Sequence, residues 1–142
     1  MKLLSLSLFL LIVTQLAGQV SLVSQLETQI TDGYSRQWTL DSTDIYLGDK
    51  DSCQNGLKLT FNFNPHVIIE KICKNGNWTE VPYAWEIVKK EDWILPKLFF
   101  YDKNRKVVEI YIIQFVQKTD STYLRLRKAD TPANETIDLY FN

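Results

Sequence analysis

The chain has 142 residues, 45% hydrophobic and 13% aromatic, with 16 basic and 17 acidic side chains and a formal net charge of −1. That length supports one domain with a single core. The balanced charge, without a basic stripe or an Arg-rich tract, argues against nucleic acid as a partner.

Met1 to Gly18 read as a signal peptide. Lys2 supplies the positive n-region, and Leu3 to Val13 is apolar apart from Ser5 and Ser7. The run is too short to span a bilayer comfortably, so cleavage is expected and an uncleaved anchor is the alternative. Leu16-Ala17-Gly18 resembles the front of a bacterial lipoprotein box, but Gln19 stands where the lipid-bearing cysteine belongs. An amide cannot form the thioether, so the expectation is a secreted or periplasmic protein without a lipid anchor. An ordinary small-residue cleavage site reads the same way. Losing Lys2 would take the formal charge from −1 to −2.

Residues 19–33 place Val20, Val23, Leu26 and Ile30 at helical spacing, and Gly33 ends the pattern. This predicts a short N-terminal helix or arm ahead of a β-domain over 34–142. The polar face lacks lysine and arginine, which disfavours a membrane-surface helix.

Strand signals dominate thereafter. Arg36 to Asp41 reads as a strand continued by Asp44 to Leu47, and Gly48 to Gly56 as a polar loop. Leu57, Leu59, Phe61 and Phe63 alternate at period two, and after Asn64-Pro65 the chain returns through His66 to Cys73. Lys74-Asn-Gly76 is a turn signal. Trp78 to Val88 forms the next strand, with a possible break at Pro82, and Trp93 to Tyr101 another, with Pro96 at an edge or bulge. Lys106 to Gln117, Tyr123 to Arg127 and Ile137 to Phe141 complete the set. Short turns make neighbours antiparallel. Eight to ten such strands hide their edges best in a closed barrel, with a β-sandwich as the runner-up.

Cys53 and Cys73 are the only cysteines. In an exported chain they are most simply a disulfide, which would stabilise by roughly 3 kcal/mol through closure of its loop. If the hairpin turns near Asn64, one bulge brings the two into register. A metal thiolate pair or a redox couple fits the spacing poorly.

The order of markers resembles the bacterial lipocalin-like domain proteins, small envelope β-barrels often exported as lipoproteins. The markers are Trp38-Thr-Leu40, Cys53 before Leu57-Lys-Leu-Thr-Phe61, Cys73 before Asn75-Gly-Asn-Trp78, Tyr83-Ala-Trp-Glu-Ile87 and Leu124-Arg-Leu126. The resemblance covers roughly residues 36–127. It implies an up-and-down barrel of about eight strands with an internal cavity, and no particular ligand. Gln19 departs from the lipidated members, so tethering is not carried over.

Chemistry-bearing patterns are sparse. His66 is the one histidine, at a turn with no nucleophile elbow near it. Asp49-Lys-Asp51 lacks the glutamate that closes a calcium loop, and no zinc-type cluster or phosphate-binding glycine loop occurs. Asn77-Trp-Thr and Asn134-Glu-Thr match the glycosylation pattern only if the host glycosylates. The long strand has two mixed faces: Val108, Ile110, Ile112, Gln114 and Val116, against Val107, Glu109, Tyr111, Ile113, Phe115 and Gln117. Apolar residues on both faces mean a covered outer wall, by the N-terminal arm for instance, or a protein-binding patch. The reading is a non-enzymatic module for a small apolar or amphipathic molecule, without metal or cofactor. Trp38, Phe61, Phe63, Trp85 and Tyr111 would line its cavity. The alternative is a solidly packed envelope domain with a structural or protein-binding role.

Overall fold

The computed structural model describes residues 21–43, 56–129 and 138–142. It comprises one helix and eight strands: α1 (Leu22–Thr31), β1 (Ser35–Thr43), β2 (Leu57–Asn62), β3 (Val67–Lys74), β4 (Asn77–Val88), β5 (Lys97–Tyr101), β6 (Val107–Lys118), β7 (Ser121–Lys128) and β8 (Asp138–Phe141). Each strand pairs with the next in antiparallel fashion, and β8 returns to β1. The result is the expected closed up-and-down barrel with a short N-terminal helix. Closure gives every strand two partners and removes the free edges a sandwich would keep.

Several boundaries follow from local chemistry. Ser21 Oγ caps α1 by accepting from Ser24 N at 3.1 Å. Asp32 and Gly33, at φ 53° and 78°, end it in the left-handed region. The two-residue turn Asn75-Gly76 has positive φ at both positions, as a twisted hairpin requires. In the β5–β6 turn, Asp102 Oδ1 accepts from the amides of Asn104 and Lys106 at 2.8 and 2.9 Å.

Other boundaries differ from expectation. β5 starts at Lys97 rather than Trp93, because Pro96 has no N–H for the ladder. β4 runs unbroken through Pro82, which pairs with Ile69 beyond the reach of β5. The strand expected over 44–47 lies outside the described residues.

The β2–β3 register also corrects the disulfide geometry. Leu57 faces Ile72 and Phe61 faces Ile68, so Gly56, not Cys53, stands opposite Cys73. Cys73 N donates to Gly56 O at 2.8 Å. A Cβ on Gly56 would lie 2.9 Å from the Trp78 ring, so glycine is what lets the indole cross there. One bulge does not bridge three residues, so any bond from Cys53 must come from the loop before β2. That loop lies outside the described residues.

α1 packs on β1, β2 and β4 at the end of the barrel where β1 begins. Leu26 and Ile30 face inward. The last carbonyls of a helix lack intrahelical donors. Trp38, fully buried in β1, fills one of these vacancies: its Nε1 donates to Ile30 O at 2.8 Å. The indole thereby plugs the barrel end and clamps the helix over it. No described helix is long and apolar enough to cross a membrane.

On the outer wall, Asp138 joins β7 to β8. Its carboxylate accepts from Arg127 at 2.6 and 2.7 Å and from Arg125 Nε at 2.9 Å. Arg125 also reaches Gln114 on β6 at 2.8 Å. The Arg127 hydrogen bonds, opposed by burial and helped by Arg125, hold the Asp138 carboxyl below the usual carboxylate range.

Two stability predictions follow from these contacts. Trp38→Phe should cost about 2–3 kcal/mol in urea unfolding, from the unfilled volume and the orphaned Ile30 carbonyl; a loss below about 0.5 kcal/mol would refute the clamp. Asp138→Asn should cost about 1–3 kcal/mol at neutral pH, discounted because both arginines are partly exposed. A lowered carboxyl contributes stability above the unfolded value, and that stability is lost as pH falls from about 4 through the folded value. Urea midpoints measured against pH should therefore decline less steeply below about pH 4 in Asp138→Asn than in wild type.

Candidate functional site

The register assigns the lumen residues strand by strand, because side chains alternate across a sheet. Toward the helix-capped end the lumen is packed with large side chains, apart from a pocket of about 240 Å³ between α1 and Arg36, Trp38, Phe115 and Thr122. Trp38, Phe61, Ile68, Trp85, Leu98, Phe100, Ile113, Leu124, Leu126 and Phe141 are all at most 2% exposed. Phe61 meets Trp85 edge-on at 5.4 Å and Phe100 at 6.3 Å. Trp85 Nε1 donates to Asn62 O at 3.0 Å. Trp38 lies 5.9 Å from Phe115.

Phe100 is the floor of a different region. Tyr83 stacks on it at 5.9 Å, and Tyr111 tilts against it at 5.5 Å. Further toward the open end come Glu70 on β3, Val81 on β4, Glu109 on β6 and Lys128 on β7. Leu57, Ile72 and Leu139 form the apolar wall between them. The side chain of Glu109 is 31% exposed and that of Lys128 54%, and Val81 is 37% exposed. Inward-facing side chains of a closed barrel reach water only where the lumen is open. Among the described residues, the barrel is thus aromatic and closely packed in one half, and lined by polar and partly exposed side chains in the other. β4 contributes to the opening: its first residues pair with β3, and β5 joins it only from Ala84.

The polar half is electrostatically coupled. Burial raises the Glu70 pKa; the Glu109 charge adds to the rise, and the Tyr83 hydroxyl, donating toward Glu70, offsets part of it. Burial, Glu70 and Glu109 all raise the Tyr83 and Tyr111 phenols, which stay protonated at neutral pH. Lys128 Nζ pairs with Glu109 Oε2 at 3.0 Å, which ties β7 to β6 at this level of the barrel.

Of the five lining residues expected from sequence, the structure brings only Tyr111 to this half. Trp38, Phe61 and Trp85 are buried in the half under α1, with Trp38 also bordering the 240 Å³ pocket and Trp85 the outer groove described below. Phe63 lies past the end of β2, 39% exposed, with its ring 5.1 Å from His66. Glu70, Tyr83, Glu109 and Lys128 were missed as lining. Their signal was present in the alternation Ile68, Glu70, Ile72, which puts a carboxylate on the same face as two aliphatics.

Two outer features remain. A groove of about 570 Å³ is lined by residues including His66, Trp85, Glu86, Tyr101 and Arg105. In it the Tyr101 hydroxyl donates to Glu86 in a short hydrogen bond, and burial first, then Glu86, push the phenol up to about 12. Beside it on the outer wall, Trp93, Phe99 and Tyr101 stack in series at 6.2 and 6.3 Å. Lys97 lies 4.3 Å over Trp93, and Ile94 is 94% exposed. The apolar outer wall expected from β6 thus extends across β5. α1 packs on β1, β2 and β4 instead of covering it.

Comparison with protein-family models, curated proteins and solved structures found no match to this chain.

The raised Glu70 carboxyl carries a stability signature. The folded protein binds its proton more tightly than the unfolded chain, so Glu70 weakens folding as pH rises from the ordinary glutamate range through the raised value. Glu70→Gln should therefore match or exceed wild-type stability at pH 7, by up to about 1 kcal/mol, in urea unfolding. A loss of more than about 1 kcal/mol would show instead that the carboxylate holds the polar half together.

Proposed function

We propose that this chain is an exported, non-enzymatic binding module that holds a small amphipathic molecule in the open half of its barrel. The observation that carries the reading is the division of the lumen. Large aromatics pack one half, while among the described residues Leu57, Ile72, Val81 and Leu139 share the other half with Glu70, Glu109, Tyr83 and Tyr111 above Phe100. Sites for small molecules combine such apolar walls with a few polar anchors. The filled half limits the ligand to a short one.

Export in a soluble, unlipidated form to the periplasm or beyond is part of the proposal, resting on Lys2, the apolar run and Gln19. So is a Cys53–Cys73 disulfide. Cys73 is fully buried and not a free thiol, and Cys53 is the only other cysteine. The likeness to bacterial lipocalin-like domain proteins supports a barrel with an internal cavity, without indicating a ligand. A second reading, a protein-interaction domain, is favoured by the stacked Trp93, Phe99 and Tyr101 beside exposed Ile94.

Native mass spectrometry of protein purified from its host should show a co-purifying small molecule. Val81→Trp, which puts an indole in the mouth, should lose it while keeping the wild-type far-UV spectrum. If wild type carries no adduct and a panel of short amphiphiles shows no saturable binding, the module reading fails. Alkylation before and after reduction should add nothing and then two groups; two alkylated thiols without reductant would disprove the disulfide.

A further inference from the structure

The groove on the outer wall is a concave site apart from the lumen, and its shape follows from register. Val67, Ala84 and Tyr101 stand side by side on β3, β4 and β5. They face outward, because their neighbours Ile68, Trp85 and Phe100 are buried in the lumen. Ala84 offers only a methyl group, so the wall dips between its larger neighbours. Further along β4 toward α1, Glu86 still pairs with Phe99 on β5, but β3 does not reach that level. Pro65 and His66 of the β2–β3 turn form the rim there. The opening of about 570 Å³ that results has the size of a small-molecule site.

Both rims are held before anything binds. His66 meets Trp85 edge-on at 4.6 Å and Phe63 at 5.1 Å, and its Nε2 lies 3.7 Å from Glu27 Oε1 on α1. Tyr101 stacks on Phe99 and donates its hydroxyl to Glu86. The charges stand at opposite ends. Glu86 is at the α1 end, and Arg105 is in the turn that follows β5, beyond Tyr101. Among the described residues the Glu86 carboxylate accepts from a neutral phenol and is paired with no cation. The backbone amide of Arg105 donates to Asp102 within the turn, while its guanidinium is paired with no described carboxylate. Adjacent charges of opposite sign would satisfy each other; these two are kept apart by the groove itself. An occupant with a single charge matches one end and leaves the other unmatched.

On these grounds we propose that the outer groove binds a short peptide with free ends, its ammonium terminus at Glu86 and its carboxylate terminus at Arg105. An ammonium supplies three donors for the remaining lone pairs of Glu86. The guanidinium fork takes a carboxylate with two parallel hydrogen bonds. Three extended residues span about 10 Å, and small side chains suit a floor of Val67 and Ala84. The groove lies outside the barrel, so this inference goes beyond the lumen reading and is tested apart from it.

Three probes with one body separate the two ends: trialanine, N-acetyl-trialanine and trialanine amide. Each is titrated at pH 7 into the full chain and followed by amide chemical shifts. Trialanine should shift the amides of Val67, Ala84 and Tyr101 saturably and bind about tenfold tighter than either capped form, the scale of one charge-assisted hydrogen bond. Glu86→Gln should weaken trialanine and its amide about tenfold and leave the acetylated form within about twofold. Arg105→Gln should do the converse. Both side chains are exposed, so both variants should keep the wild-type far-UV spectrum. Equal binding of the three probes, loss of the wrong capped form in either variant, or no saturable shift with trialanine overturns the proposal.

Discussion

An eight-stranded barrel has one lumen, and every second side chain of every strand competes for it. Closure fixes that volume before any side chain is chosen. In this chain the competition is resolved unevenly. Trp38, Phe61, Trp85, Phe100 and Phe141 occupy the half under α1 with almost no exposed surface. Side chains of that size, each burying on the order of 200 Å², fill most of that half. The other half receives carboxylates, phenols and short aliphatics, and water enters. Where a site exists is therefore a consequence of where the aromatics were spent.

The filled half depends on its lid. A barrel end exposes the apolar tops of inward-facing side chains, and α1 covers them with Leu26 and Ile30. Ten residues are too few for a helix to be stable alone in water. Capping by Ser21 helps, but the Trp38 indole does more: it supplies packing area and the donor that the Ile30 carbonyl lacks. One residue of β1 thus solves a problem of the helix and a problem of the barrel together.

The architecture was legible because it rests on period and turn chemistry. Leu57, Leu59 and Phe61 alternate cleanly, Asn75-Gly76 has the residues a tight hairpin needs, and the helical spacing of Val23, Leu26 and Ile30 ends at Gly33 as expected. The site was much less legible. Aromatic residues are good evidence of burial but none of emptiness, so the sequence did not separate the fully packed Trp38, Phe61 and Trp85 from the half-buried Tyr111. Phe63 keeps the period of its strand, yet β2 ends one residue earlier, at Asn62. Depth along the barrel axis depends on strand tilt and register, and a single sequence carries no direct trace of either. The same limit applied to Cys73, whose true opposite, Gly56, emerged only from the pairing of Leu57 with Ile72.

The lumen polar groups bear most directly on function. If folding alone governed the open half, aliphatic residues at 70 and 109 would extend the core without desolvating a carboxylate. Glu70 instead sits where burial raises its pKa, the Tyr83 hydroxyl offsets part of the rise and the Glu109 charge adds to it, while Glu109 pairs with Lys128 at 3.0 Å. Asp138 shows that this chain can satisfy a carboxylate fully when it serves structure, with two arginines arranged around it. The outer-wall carboxylate is held by two arginines, whereas the two lumen carboxylates are held by a phenol and a partly exposed lysine. Polar groups placed in a lumen at the cost of partial desolvation are the kind of local departure from a purely apolar core that function can explain.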